Sequence, residues 1–147
     1  MSGTNRVPYS ARGRAAAAGA AATVVWAALE PLDKRLFRHD YSDVAVLGKA
    51  VTRSRVWPLA GVALHAANGA VFGLAYDALR RRRKVSALRL ALAEHLVLFP
   101  LGSIVDRRHP ARGEPGLARL FSAPAFAQAT LRHAVFGAVL GSLSRVR

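Results

Sequence analysis

The sequence predicts an all-α, polytopic membrane protein in which four transmembrane helices pack as two helical hairpins. Three observations carry this. Hydrophobic residues make up 52% of the 147 positions, yet the formal net charge is +14. The charges are not spread evenly: they crowd into short connectors between long apolar runs, as loops beside membrane spans do. Those runs are rich in Ala, Leu and Val without strand-like alternation, which points to helices. One domain accounts for residues 1–147.

A basic tail, 1–14, precedes the first span at 15–29, AAAAGAAATVVWAAL. This segment is short for the roughly 20 residues that a bilayer requires, so Arg14 and Glu30 are expected near the headgroups. Its alternative reading is a secretory signal peptide, but bulky Trp26 fits a cleavage site badly and three apolar segments follow. The connector 30–55 is polar. Within it Ser42 caps a short stretch with Val44, Leu47 and Val51 on one stripe, the pattern of an amphipathic helix lying at the interface.

The second span, 56–76, has 21 residues and no charge. RRRRK at 80–84 then forms a tight basic turn; Arg80, Arg81, Arg82, Arg83 and Lys84 suit contact with anionic lipid headgroups or a topology signal. The third span, 85–105, carries Arg89, Glu94 and His95, with Pro100 predicting a kink or a broken last turn. After a Pro- and Gly-containing loop at 106–119, the fourth span at 123–143 carries Gln128, Arg132 and His133. Pro58 and Pro124 stand near helix starts, where a missing N–H costs little. The density of RRRRK beside two spans places both termini in the cytoplasm, although the raw basic count of the two sides is equal.

HAANGAVFG at 65–73 and HAVFGAVLG at 133–141 share the spacing His-x3-Gly-x3-Gly. Residues at i, i+4 and i+8 lie near one helix face. In lipid, helices associate where small residues let backbones approach, so Gly69, Gly73, Gly137 and Gly141 read as packing seams. Ala15, Gly19 and Thr23 form a weaker version. Repeated PL and RH pairs (31 and 38 against 100 and 108) hint at duplication.

Counting a ~1.5 Å rise per residue from the cytoplasmic ends puts Glu94, His95, Asn68, His133, Arg132 and His65 in one layer ~14 to ~20 Å deep. An unpartnered charge there costs ~2.5 to 3.5 kcal/mol on insertion scales. These six side chains are therefore expected to face inward, with Glu94 paired to Arg132. Interhelical hydrogen bonding is the simplest role for such a layer; a proton or small-solute path is the functional one. Haem or a divalent metal held by the histidines is a further alternative, which Arg132 disfavours. In the loops, His39 with Asp40 and Asp43, and Asp106 with His109, read as solvated charges rather than metal sites.

The chain contains no cysteine, which excludes disulfides, thiolate nucleophiles and Cys-ligated metals. It has no Gly-x-Ser-x-Gly, P-loop or GxGxxG motif, so an enzyme is not the expectation. The Ala/Arg-rich composition is that of GC-rich bacterial genomes. A soluble basic nucleic-acid-binding protein is the rival class, but no basic face with interleaved aromatics supports nucleic acid as a partner. The expected partners are the lipid bilayer, with anionic lipid, and a homo-oligomer or larger membrane complex. The expected function is that of a scaffold, an accessory subunit or a minor transport element, in the cell membrane.

Overall fold

The computed structural model describes residues 9–145, which form helices α1 (Tyr9–Phe37), α2 (Asp43–Val51), α3 (Trp57–Arg80), α4 (Ala87–Asp106) and α5 (Ala123–Leu143). Among the described residues there is no strand, only an isolated antiparallel bridge between Tyr41 and Leu117. Residues 1–8 of the expected basic tail, and Arg147, lie outside the described residues. The remainder of that tail, 9–14, belongs to α1.

Three helices, α1, α3 and α4, are long and apolar enough to cross a membrane. The 21-residue α5 is one residue longer than α4 but is not among them; Gln128, Arg132 and His133 interrupt its apolar run. Helix α1 departs most from expectation: it continues past residue 29 through Pro31 to Phe37. Its extra two turns carry Glu30 and Asp33, both buried, and the partners of Asp33 lie about a hundred residues later on α5. Likewise α4 runs unbroken through Pro100. Helices α2, α4 and α5 start at serine caps, Ser42, Ser86 and Ser122, whose hydroxyls accept from backbone N–H groups of the first turn.

Helix α1 packs against both α3 and α5, α5 against α4, and α2 against the first turns of α3, whereas α3 and α4 do not pack along each other. The α1–α3 seam is a backbone contact. A Cβ on Gly19 would overlap the Gly69 carbonyl, one on Gly69 the Thr23 hydroxyl, and one on Gly73 the Ala15 carbonyl. The α4–α5 seam is built the same way at Gly137, whose Cβ would lie 2.7 Å from Leu88 Cα. Gly141 is looser, with ordinary spacing of 3.6 Å to Ala87 Cβ. A third seam was not anticipated: Gly48 of α2 lies against the Trp57 carbonyl, and Gly61 of α3 against that of Val44.

That seam also corrects the expected face of α2. Its buried side is Val44, Ala45, Gly48 and Lys49, not the stripe Val44–Leu47–Val51; Val51 is exposed. Small residues win the inward side because they allow close approach to α3. Buried Lys49 pairs with Glu114 at 3.1 Å and donates to the Pro115 carbonyl at 2.8 Å, which ties α2 to the loop 107–122. Two turns of that loop use glycines with positive φ, Gly113 and Gly116, and the Gly116 carbonyl accepts from Ser42 N–H.

Candidate functional site: a cleft between α3 and α4

Because α3 and α4 stand apart, a cleft of about 440 Å³ opens between them. Thr23 and Trp26 of α1 and Gln128, Arg132, His133 and Phe136 of α5 form its floor. Phe72 of α3 and Phe99 of α4 line the sides, and Tyr41, Val46, His109 and Leu120 close the end nearest α2. All six polar residues picked out by depth, His65, Asn68, Glu94, His95, Arg132 and His133, line this one cleft. Asn68 is exposed, Glu94 and His133 are half-buried, and His65, His95 and Arg132 are buried.

The expected Glu94–Arg132 pair is absent. Arg132 turns instead toward α1 and α2. Its Nε donates to Asp33 Oδ2 at 2.5 Å, and its two terminal nitrogens donate to Asp33 Oδ1 (2.7 Å), Asp43 Oδ2 (2.7 Å) and the Tyr41 carbonyl (3.0 Å). Glu30 stands 3.9 Å away. Gln128 Nε2 adds a 2.7 Å bond to Asp33, and the Ser42 hydroxyl donates to Glu30 at 2.6 Å. Arg132, midway along α5, thus ties that helix to the end of α1 and the start of α2, and three carboxylates answer its charge. Among the described residues Glu94 has no ion pair or hydrogen bond.

The histidines form an aromatic row rather than a ligand set. Trp26 lies between His65 and His133, with ring centroids 5.0 and 4.7 Å away, and His95 follows His133 at 4.8 Å. His133 Nδ1 lies 2.8 Å from the Ala129 carbonyl, so it carries the proton. The Thr130 hydroxyl donates to the Phe126 carbonyl and therefore accepts from His95 Nε2. In the neutral rings this leaves His133 Nε2 and His95 Nδ1 as acceptors. Among the described residues, no three His, Asp or Glu side chains gather as a metal would need. Three buried atoms in the lining have no partner: Trp26 Nε1, His65 Nε2 and Gln128 Oε1.

The loop residues read as solvated charges hold structure instead. Buried His109 donates from Nε2 to the Val46 carbonyl at 2.9 Å and accepts at Nδ1 from Ala111 N–H. Asp106 is buried, accepts from Leu120 N–H at 3.2 Å and pairs with Arg112. Asp40 accepts from Gly116 N–H and from Lys34, which together hold its carboxyl below the ordinary range. Burial lowers the His39 pKa, and burial followed by the nearby Asp43 charge raises that of Tyr41.

At the opposite end, Asp77 accepts from both Arg80 and Arg81, at 2.8 and 2.6 Å. Of the basic turn only Arg82, Arg83 and Lys84 are exposed without an ion pair among the described residues.

Comparison with known families, curated proteins and solved structures gave no match. The reading therefore rests on this geometry. Sequence reasoning missed Glu30, Asp33, Trp26 and Thr130. The spacing of Glu30 and Asp33, three apart and so on one helical face, was the available signal.

Proposed function

We propose that this chain is a four-span membrane protein that receives a small amphipathic molecule from the bilayer in the α3–α4 cleft. The carrying observation is a cleft of about 440 Å³ whose lining joins apolar side chains to the open polar groups of Asn68 and Glu94. Neither Asn68 nor Glu94 has a protein hydrogen-bond partner among the described residues, so both are open to a guest that bonds to them. Sites of this kind, mostly apolar with a few convergent polar groups, are typical of small-molecule pockets. A scaffold or accessory subunit has no need of such a lining, which favours the transport-type reading.

In this reading α5 is the fourth span. Its Arg132 is answered by carboxylates and His133 packs against Trp26, so its lower hydropathy does not exclude it. Charge supports cytoplasmic termini. At the end where α1 begins, the described Arg12, Arg14, Arg80–Lys84 and Arg145 face only Asp77. At the other end Lys34, Lys49, Arg53 and Arg112 pair with acids, while Arg35, Arg38, Arg55, Arg107, Arg108 and Arg119 do not among the described residues. The support therefore comes from the density of the basic turn beside two helices. The unpaired cations of the basic turn then contact anionic headgroups.

Photolabelling in reconstituted vesicles tests the cleft. A phospholipid carrying a diazirine midway along one acyl chain should form adducts on Trp26, Phe72 and Phe99. Asn68→Trp, which fills the mouth from an exposed position, should suppress these while adducts on outward-facing Val71 persist. Adducts confined to Val71 and other exposed positions would refute entry into the cleft.

A further inference from the structure

We infer that the guest is a lipophilic organic cation, with Glu94 as its counter-ion; this rests on the cleft reading above and adds the ligand's charge to it. Three acids line the cleft, Asp43, Glu94 and Asp106. Asp43 is taken by Arg132 and Asp106 by Arg112. Glu94 alone is uncommitted among the described residues, on a helix apolar enough to span. A lone carboxylate in such a segment is costly and marks a place where a partner arrives.

That partner does not come from the protein's own lining. Among the described residues Arg132 is the one Lys or Arg lining the cleft, and Asp33, Asp43 and Glu30 already answer its charge. An anion would meet an uncompensated carboxylate; a cation meets its counter-charge.

The apolar lining makes the same choice. Trp26, Phe72, Phe99 and Phe136 all border the cleft, and Trp26 and Phe136 are mutually edge-on at 6.1 Å. Aromatic faces attract cations, most strongly where water is excluded, and also hold apolar substituents. A cleft that combines aromatic walls with one uncommitted acid suits a bulky, weakly hydrated onium ion rather than a metal cation, for which no ligand cluster exists among the described residues.

Tetraphenylphosphonium and tetraphenylborate have nearly the same size and shape and opposite charge, which makes them a direct probe. Equilibrium dialysis of the full chain in an uncharged maltoside detergent should show saturable binding of the phosphonium and none of the borate. Glu94→Gln should weaken phosphonium binding at least tenfold, whereas Glu94→Asp, which keeps the charge, should retain most of it. Far-UV circular dichroism checks that both variants are folded. Equal binding of the two ions, or unchanged affinity in folded Glu94→Gln, overturns the inference. If lipid adducts still form inside the cleft in that case, the cleft reading survives and only the ligand's charge is wrong. Absence of those adducts removes the cleft reading itself.

Discussion

Arg132 should be the residue on which the stability of the bundle depends most. It donates four hydrogen bonds, three of them to carboxylates, and only 2% of its side chain is exposed. Asp33 is nearly as buried, at 4%, so solvent screening does little to weaken the pair. Removing one member of a buried pair typically costs ~3 to 5 kcal/mol, because the other charge is left without compensation. Arg132→Met leaves Asp33 wholly enclosed and Glu30 largely so, and falls in that range. Asp33→Asn should cost less, since Asp43 still answers Arg132 and the amide oxygen can still accept from Gln128. The double variant should be more stable than the sum of the two predicts, by about 2 kcal/mol, within the range of couplings measured for contacting residues. The same cycle run with Glu94→Gln should be additive to within about 0.5 kcal/mol, as for independent sites. Unfolding by sodium dodecyl sulfate in mixed micelles, followed by circular dichroism, provides the free energies. Arg132→Met within 1 kcal/mol of the parent, or strong coupling to Glu94 in place of Asp33, would refute the assignment.

The glycine seams predict a graded series. Gly19→Leu, Gly69→Leu and Gly137→Leu should destabilise by at least the ~1 to 3 kcal/mol usual for overpacking, while Gly13→Ala, with nothing within 4 Å of the added Cβ, should be neutral in the same assay. Gly48→Ala should loosen α2 from α3, read as faster hydrogen exchange confined to 43–51. Asp40 supplies a pH test. Because its folded-state pKa is depressed by Gly116 N–H and Lys34, its stabilisation is present above the ordinary carboxylate pKa and is lost as pH falls through the lower folded value. Asp40→Asn should therefore lower stability slightly at pH 7 and not at pH 3, with an equal deficit at both counting against it. Reporter fusions after Arg145 and within the loop near Gly113 should report opposite sides, cytoplasmic for the first; the reverse would invert the orientation.

The sequence disclosed axial position well and rotation poorly. Long apolar runs, helped by early prolines in α3 and α5, marked α3, α4 and α5 closely, because those signals are local. The end of α1 was hidden because Pro31 and a run of charges resemble a helix stop. What keeps the helix going is the pairing of Asp33 with residues on α5, which no local pattern contains. A count of rise per residue likewise gathered six polar side chains at one depth, and one cleft does collect them. Depth alone, however, cannot say which of them meet. Successive residues on a helix point about 100° apart, so equal depth does not fix which side chain each of Arg132, His133, Glu94 and His95 meets. On α5 the arginine faces the acidic end of α1 and the histidine faces Trp26. On α4 the histidine is buried against α5 and Glu94 is left half-buried at the cleft. Pairing Glu94 with Arg132 ignored this rotation and also ignored Glu30 and Asp33, the acids that share one face of α1. With Arg132 assigned to that face, the carboxylate at 94 is left over. A surplus charge that the fold leaves unanswered is the reason to look for its partner outside the chain.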